Sequence, residues 1–322
     1  MYLGVDAGGT KTAYAIIDAD GRIRSRHVGP SVSHLSEGFT RANEILIQGI
    51  GAVVNDAALE ASDLTFSFVG LPAYGEDSAT TVRMNAMPAW LLDVARYRCG
   101  NDMVCSWAGS LACADGISVI SGTGSIAYGE YAHRSARAGG WGELIGDEGS
   151  AYWIAREGMN LFSRMSDGRA ARGALYDLVR ERLKIKIDLD LCSRVYGELA
   201  SARRVFAQFA PLIHEAALAG DTQTAAIFQR AADELVECVV ATRRSLAVPD
   251  TYVLPVSHSG GVFNGATLLL NAFRAALIAA PLPLEYRSPQ YPPEIGAALY
   301  AAQLSGSPLS GSALRALAGA AA

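Results

Sequence analysis

The 322-residue chain has little cysteine, and its cysteines form no recognisable disulfide or metal pattern. There are five, an odd number that argues against a set of disulfides, and no two lie in a CxxC spacing. None pairs with a histidine at a spacing typical of zinc ligands. We interpret them as small buried apolar residues. They are Cys99, Cys105, Cys113, Cys192 and Cys238.

Long hydrophobic runs and basic runs are also missing. No stretch approaches the roughly 18 apolar residues that a membrane-spanning helix needs. The start of the chain, Met1–Asp6, lacks the basic segment of a signal peptide and already carries an acid. The 27 Lys and Arg residues against 32 Asp and Glu give a net charge of −5, which disfavours binding to nucleic acid or an anionic membrane. We therefore expect a soluble cytoplasmic protein that binds neither.

Glycine and apolar residues, in contrast, are plentiful. Half of the residues are apolar and 18% are charged, so the chain can bury a large core. Strand patterns in residues 2–28 and again in residues 116–131 are each interrupted by a glycine loop. This repeated order predicts two similar α/β halves with a cleft between them, residues 1–113 and 114–292. Residues 305–322 are rich in Ser, Gly and Ala and are predicted as a loosely held tail.

The first glycine loop, Asp6-Ala7-Gly8-Gly9-Thr10-Lys11-Thr12, follows the first predicted strand. Two glycines after a strand can expose backbone N–H groups to a phosphate, and Asp6 supplies an oxygen for hydrated Mg²⁺. The loop is not a Walker A sequence, because Thr10 stands where that motif has lysine and a strand follows it. A hairpin turn that needs positive φ explains the same residues, so both interpretations stay open.

Two further glycine loops follow later strands. The stretch Gly122-Thr123-Gly124-Ser125-Ile126-Ala127 matches the dinucleotide pattern G-x-G-x-x-A, but a strand rather than a helix follows it. A second phosphate-binding hairpin is therefore the preferred interpretation. The stretch Ser259-Gly260-Gly261 lies between an apolar strand and a helix, where an ordinary turn is the alternative. Three such loops in two α/β halves together indicate a nucleotide-binding protein.

Taken together, the motifs resemble the actin-like ATPase and sugar kinase superfamily. Within it the chain is most similar to the N-acetylglucosamine kinase branch of the BadF/BadG/BcrA/BcrD ATPase family. The resemblance rests on GVDAGGTKT (Gly4–Thr12), ISGTGS (Ile120–Ser125) and GGWGELIGDEGSAYW (Gly139–Trp153). The stretches AGDTQTA (Ala219–Ala225) and SGGVFN (Ser259–Asn264) support it. These motifs run in family order over nearly the whole chain.

The resemblance implies two ribonuclease-H-like domains, with a helix at residues 293–303 packing back on the N-terminal one. It implies a homodimeric enzyme that uses MgATP to phosphorylate the 6-hydroxyl of an amino sugar, N-acetylglucosamine. Asp6 would hold the Mg²⁺ through water. The residues implied to bind ATP are Asp6, Gly8, Gly9, Thr10, Lys11, Gly122, Thr123 and Gly124 near the phosphates, and Gly220, Gly260, Gly261 and Asn264 near adenosine.

The resemblance also implies that Asp102, in the pair Asn101-Asp102, is the catalytic base that orients the sugar hydroxyl and accepts its proton. A helix N-cap is the alternative for Asp102, and a first-turn acid of a helix is the alternative for Asp147. Packing alone would explain Trp141, and a solvated surface charge would explain Lys11. The residues implied to contact the sugar are Ser33, Asn101, Asp102, Ser125, Gly140, Trp141, Gly142, Glu143 and Asp147.

Three positions depart from the animal N-acetylglucosamine kinases, which carry asparagine at the positions of Ser33 and Ile126 and histidine at that of Glu143. The departures remove polar contacts to an acyl amide and add a charge that would attract an ammonium group. Glucosamine is therefore an alternative substrate. An ATPase activator of a 2-hydroxyacyl-CoA dehydratase-type enzyme is an alternative of another class, which needs paired cysteines for an iron–sulfur cluster. A sugar sensor without turnover is a third.

Overall fold

The computed structural model describes residues 1–199 and 203–321. The chain divides into two compact units, Met1–Asp115 with Ser288–Ala322, and Gly116–Arg287. Each unit is built on one five-stranded mixed sheet. No helix in the described part of the chain is both long and apolar enough to cross a membrane.

The first unit has the strand order β3-β2-β1-β4-β5. The first three strands form an antiparallel meander, and the other two add in parallel beside β1. Helices and strands are numbered along the whole chain. The strands of this unit are β1 (Tyr2–Ala7), β2 (Lys11–Ile17), β3 (Ile23–Pro30), β4 (Phe66–Leu71) and β5 (Tyr97–Asn101). Its helices are α1 (His34–Asp56), α2 (Ser78–Ala86), α3 (Asp102–Leu111), α12 (Pro293–Leu304) and α13 (Gly311–Ala321).

Helix α12 (Pro293–Leu304) packs directly against β1 (Tyr2–Ala7) and α3 (Asp102–Leu111), although both lie far earlier in the chain. A β-carbon at Gly4 would overlap the backbone of Glu294 and Ala298. A β-carbon at Gly296 would overlap the backbone of Gly109 in α3. The first glycine of the GVDAGGTKT motif therefore serves helix packing, because only a residue without a side chain allows this approach.

The end of the chain forms a helix that the sequence did not predict. Helix α13 lies within residues 305–322, and its Ala313 and Leu317 are buried on one face. The Tyr291 hydroxyl donates to the Leu314 carbonyl at 2.7 Å. The apolar residues four apart are easily overlooked in a segment rich in Ser, Gly and Ala.

The second unit has the strand order β10-β9-β6-β7-β8. Its first three strands again form an antiparallel meander, with β9 parallel to β6 and β10 parallel to β9. The strands are β6 (Gly116–Ser121), β7 (Ser125–Tyr131), β8 (Arg134–Gly139), β9 (Leu254–Ser259) and β10 (Leu284–Tyr286). The helices are α4 (Ala151–Ser166), α5 (Ala174–Leu183), α6 (Asp190–Ser193), α7 (Arg203–Ala207), α8 (Ala210–Leu218), α9 (Thr222–Ser245), α10 (Gly261–Gly265) and α11 (Thr267–Ala279).

The core of the second unit surrounds α9. Residues Ile227, Ala231 and Leu235, spaced by four, are at most 1% exposed, as expected for the apolar face of an amphipathic helix. Asp221 caps this helix by accepting from the Thr224 N–H at 3.1 Å, and it also accepts from the Leu175 N–H at 3.2 Å. One carboxylate thus fixes the start of α9 next to α5.

The strands that the sequence did not predict are the short or polar ones, β5, β8 and β10. The sequence of β8, RSARAG, carries two arginines and has no buried residue. It is a strand because β7 supplies hydrogen-bonding partners along its whole length. In contrast, β6 and β7 have the bounds that the sequence predicts, β7 from its alternating pattern.

Candidate functional site

The first glycine loop is the hairpin between β1 and β2. The Gly8 N–H donates to the Lys11 carbonyl at 2.9 Å, closing a tight turn, and Gly9, Thr10 and Lys11 are exposed. The Ser31 hydroxyl supports the turn by donating to the Gly8 carbonyl at 2.8 Å. The loop is therefore a fixed hairpin whose tip is open to solvent.

The backbone conformation of this hairpin does not require its two glycines. Neither Gly8 nor Gly9 has a positive φ, so the alternative that explained them by such a turn is wrong. A β-carbon at Gly9 would meet no atom within 4 Å. The glycines instead leave free space beside the backbone, which is what a phosphate group bound to N–H groups requires.

Asp102 begins α3 at the sheet edge where β1 ends with Asp6 and Ala7. Strand β4 lies between β1 and β5, and its Gly70 pairs with Asp6. A β-carbon at Gly70 would be 3.2 Å from the Asp102 Cα, so this glycine lets α3 come close to the strand. The N-cap of α3 is Asn101, whose side chain accepts from the Met103 N–H at 3.1 Å. The N-cap alternative for Asp102 is therefore wrong.

Both acids at this edge hold protons more tightly than ordinary aspartates. Burial, with a smaller contribution from the charge of Glu76, raises the pKa of Asp102 to about 6. Burial raises the pKa of Asp6 well above its usual range, and repulsion from Asp102 and Glu294 adds to the effect. Two carboxyl groups thus interact at an edge that is largely shielded from water, which makes ionising both of them unfavourable.

A hydrated Mg²⁺ fits this arrangement. A cation would relieve the repulsion between Asp6 and Asp102, and Mg²⁺ usually binds one or two carboxylates while keeping several waters. In residues 1–199 and 203–321, no group of three or more His, Cys, Asp and Glu side chains could hold a metal ion. Asp6 would therefore share the ion with water and with phosphate oxygens.

Ser33 and Asn101, both predicted to contact the sugar, differ in the hydrogen bonds that their side chains already make. Asn101 uses both ends of its amide, because its nitrogen donates to the Tyr74 carbonyl at 3.1 Å while its oxygen caps α3. Ser33 is buried at the N-cap position of α1 but makes no side-chain capping hydrogen bond. Its hydroxyl is thus the group that the helix start leaves available.

The second glycine loop is the equivalent hairpin between β6 and β7. The Gly122 N–H donates to the Gly124 carbonyl at 2.9 Å, with the half-buried Thr123 at the tip. A strand follows the hairpin, so the dinucleotide pattern does not apply. The Ser125 hydroxyl donates to the Glu148 carbonyl at 2.6 Å, which ties the hairpin to the segment that precedes α4.

Asp147 is held in this segment with its side chain almost fully buried. It is 2% exposed, and its φ of 59° lies in the left-handed region that residues with side chains rarely adopt. Helix α4 begins at Ala151 with Ser150 as N-cap, so the first-turn alternative for Asp147 is wrong. Burial raises the pKa of Asp147, while Arg203 and the Gly142 N–H, which donates to it at 3.3 Å, oppose the rise.

Arg203, the first residue of α7, is a site residue that no sequence motif indicated. Its guanidinium forms an ion pair with Asp147, and its Nε lies 3.1 Å from Glu143 Oε2. A β-carbon at Gly124 would overlap this guanidinium and lie 2.6 Å from Asp147 Oδ2. Because 56 residues separate Arg203 from Asp147, no local spacing in the sequence could reveal the pair.

Trp141 and Gly140 lie in the loop that leads from β8 to Asp147. Trp141 is 67% exposed, so the alternative in which it only packs is wrong. Gly140 has a φ of 71°, and a β-carbon there would be 2.7 Å from Ile126 Cδ1. Ile126 is thus a packing partner of this loop.

The third glycine loop follows β9, which pairs with β6. Gly260 has a φ of 101°, and a β-carbon there would overlap the Ser121 backbone next to the second hairpin. Gly261 and Asn264 are exposed on α10. Gly220, with a φ of 93°, is exposed between α8 and α9. None of the contacts found in the described part of the chain joins Gly220 to these loops.

Two mixed sheets of equivalent strand order, each with a glycine hairpin after its first strand, define the fold of the actin-like ATPases and sugar kinases. A solved structure with this fold is a proposed N-acetylglucosamine kinase from Chromobacterium violaceum. It is 25% identical with a TM-score of 0.71, and the alignment covers 93% of this chain and 98% of that one. The predicted fold class is confirmed.

The BadF/BadG/BcrA/BcrD ATPase family matches residues 3–301, and the chain belongs to this family. It is 26% identical over 312 residues to an N-acetyl-D-glucosamine kinase of Dictyostelium discoideum, covering 94% of this chain and 97% of the relative. It is 30% identical over 280 residues to an N-acetylmuramic acid/N-acetylglucosamine kinase of Clostridium acetobutylicum, covering 85% and 89%. The family predicted from the motifs is confirmed.

Proposed function

We propose that the protein is an ATP-dependent kinase that phosphorylates the 6-hydroxyl of N-acetylglucosamine. The observation that carries this proposal is the similarity, over nearly the whole chain, to two N-acetylglucosamine kinases. Membership of an ATPase family supports ATP as the phosphoryl donor. The enzyme is accordingly a phosphotransferase with an alcohol acceptor and a small-molecule amino sugar as its partner.

In this proposal Asp102 is the general base. The 6-hydroxyl oxygen forms a bond to the γ-phosphorus while the bond from that phosphorus to the oxygen bridging the β-phosphate breaks, releasing ADP. The hydroxyl proton passes to the Asp102 carboxylate. A pKa of about 6 leaves this carboxylate mostly ionised at neutral pH, yet makes it a better proton acceptor than an ordinary aspartate. Positioning and charge stabilisation supply the rest of the catalysis.

The glycine hairpins are proposed to hold the nucleotide. Free space beside Gly9, Gly122 and Gly261 supports close approach of phosphate or adenosine to the backbone at all three loops. Bound by Asp6 through water, Mg²⁺ would supply positive charge against the phosphates. The proposed nucleotide-binding residues are Asp6, Gly8, Gly9, Thr10, Lys11, Gly122, Thr123, Gly124, Gly220, Gly260, Gly261 and Asn264.

The sugar is proposed to contact buried polar side chains. Asp147 would accept hydrogen bonds from ring hydroxyls, and a sugar lacking them would leave a buried acceptor unpaired. The Ser33 hydroxyl, which makes no capping bond, would supply a further contact. The remaining proposed sugar-binding residues are Asn101, Asp102, Ser125, Gly140, Trp141, Gly142 and Glu143.

The first test is phosphate transfer by the purified protein. It would be incubated with MgATP and separately with N-acetylglucosamine, glucosamine, N-acetylmuramic acid, N-acetylmannosamine or glucose, and the products identified by mass spectrometry. We expect N-acetylglucosamine 6-phosphate, with ATP hydrolysis slow in the absence of sugar because closure around both substrates excludes water.

The same experiment separates the alternatives. A product from glucosamine alone would make the protein a glucosamine kinase. ATP binding without transfer to any sugar would contradict the proposal, and a brown, oxygen-sensitive preparation would then identify a dehydratase activator. A homodimer and a cytoplasmic location stay predictions, to be checked by light scattering and cell fractionation.

A further inference from the structure

The charges around the second hairpin form a three-membered cluster, Asp147, Glu143 and Arg203. The guanidinium lies between the two carboxylates, with an ion pair to Asp147 and its Nε 3.1 Å from Glu143. Asp147 is 2% exposed and the Glu143 side chain is 29% exposed. The cluster is therefore partly shielded from water, where charge interactions are stronger than on an open surface.

The fold holds Arg203 in this position from two sides. Phe206, one helical turn later in α7, packs against Tyr152 of α4 with ring centroids 5.1 Å apart. Residues three apart share a helix face, so this contact directs Arg203 toward the segment that leads into α4. Gly124 provides the room, because a β-carbon there would overlap the guanidinium.

The ion pair with Arg203 changes how strongly Glu143 would attract a positively charged substrate. An unpaired glutamate near the sugar would attract the ammonium group of glucosamine. Paired with a guanidinium, it attracts that group weakly, and the guanidinium itself repels it. The neutral acetamido group of N-acetylglucosamine meets no such repulsion.

We propose that Arg203 is a specificity-determining residue, which offsets one of the two negative charges of Glu143 and Asp147 and so favours acetylated over free amino sugars. This inference rests on the proposed function and adds the reason for the substrate choice. Arg203 lies outside the sequence motifs, and its proposed role is to counteract the negative charge of Glu143.

The test compares four variants with the wild type in competition between N-acetylglucosamine and glucosamine. Arg203→Gln removes the charge, Arg203→Lys keeps it, and Glu143→Gln removes the carboxylate that would attract ammonium. Arg204→Gln, the same change at the exposed neighbouring residue, is the matched control. The quantity measured is the ratio of kcat/KM for the two sugars, with melting temperatures to check folding.

We expect the wild type to prefer N-acetylglucosamine. Arg203→Gln should lower the preference about tenfold, the effect of one partly screened charge, mainly through a lower KM for glucosamine. Arg203→Lys and Arg204→Gln should keep the preference, and Glu143→Gln should keep or increase it. If the role of Arg203 were purely structural, Arg203→Gln would lower kcat/KM for both sugars equally and leave their ratio unchanged.

The inference is overturned if Arg203→Gln leaves the ratio within twofold of wild type, or if Arg203→Lys loses the preference as fully as Arg203→Gln. If Arg203→Gln does not fold, a Glu143→Gln variant with a lower preference would overturn it. Dissociation constants for the two sugars, measured by calorimetry, distinguish a failure of this inference from a failure of the proposed kinase function. Binding without turnover would contradict the kinase, while the ratio of the two constants would still test Arg203.

Discussion

The two units share the same strand order, but the charged side chains around their glycine hairpins differ. In each, three strands form an antiparallel meander and two more add in parallel beside the first. In each, a hairpin with two glycines follows the first strand, at Gly8–Lys11 and at Gly122–Gly124. The neighbours of the hairpins differ, however. Asp6 in the first unit is close to other acids, whereas Asp147 in the second is paired with Arg203.

The difference shows that similar backbones can be specialised by a few side chains. Burial, and after it repulsion from Asp102 and Glu294, raises the pKa of Asp6, and this arrangement suits a bound cation and a proton acceptor. In the cluster of Asp147, Glu143 and Arg203, the guanidinium offsets one of the two negative charges, so the cluster attracts a cationic ligand less than two unpaired carboxylates would. Under the proposed function, proton transfer falls to Asp102 of the first unit and recognition of the ring hydroxyls to Asp147 of the second, and four variants test this division.

The largest effect is expected for Asp102→Asn in the first unit. Loss of the base should lower kcat by about 10³-fold, within the range for general bases, while the dissociation constant for sugar changes little. Steady-state kinetics and calorimetry would check both. The exposed Asp56 offers a matched control, because Asp56→Asn should leave kcat unchanged. Loss of sugar binding in Asp102→Asn would contradict the division between the units.

The same variant should also be more stable than the wild type at pH 7. The pKa of Asp102 in the folded protein, about 6, is above its unfolded value of roughly 3.9. The folded state is therefore penalised for ionising this group, by an amount that grows from about pH 4 and levels off above about pH 6. Asp102→Asn removes a penalty of about 3 kcal/mol at pH 7, so its melting temperature should be higher than that of the wild type at pH 7 and equal to it below about pH 4.

A smaller effect is expected from glycine substitutions within the second hairpin. Gly124→Ala would place a methyl group against Asp147 and Arg203, so the KM for the sugar should rise about tenfold or more, and by more than the KM for MgATP. Gly122→Ala places its methyl group in free space, where a phosphate is proposed to bind, so it should raise the KM for MgATP instead. Equal effects on both constants in both variants would show that the hairpin does not separate the two ligands.

The smallest expected effect concerns pH. Below about pH 6, kcat/KM should fall tenfold per pH unit as Asp102 becomes protonated. Glu76→Gln removes one of the charges that raise this pKa, so the fall should begin a few tenths of a pH unit lower. Glu37→Gln, at an exposed residue of the same unit, should leave the profile where it is. An identical profile in Glu76→Gln and wild type would exclude Glu76 as an influence on the base.

Local sequence patterns predicted much of the fold and little of the site's electrostatics. The apolar residues of β6 and the alternation in β7, with the glycine turn between the two strands, predicted their bounds from local sequence. Strand β8 has no such pattern and forms because β7 pairs with it. For the glycine hairpins, the sequence predicted the turns, but the reason for Gly8 and Gly9 was free space rather than positive φ.

The sequence by itself determined the family, the two-unit α/β plan and the positions of the hairpins, because these depend on residues close together in the chain. Only the tertiary structure decided which side chains share a charge environment. Asp6 and Asp102 come together because β1, β4 and β5 are parallel neighbours whose carboxyl ends share one edge. Arg203 reaches Asp147 across 56 residues because α7 packs on α4, and electrostatic interactions depend on distance in space rather than along the chain.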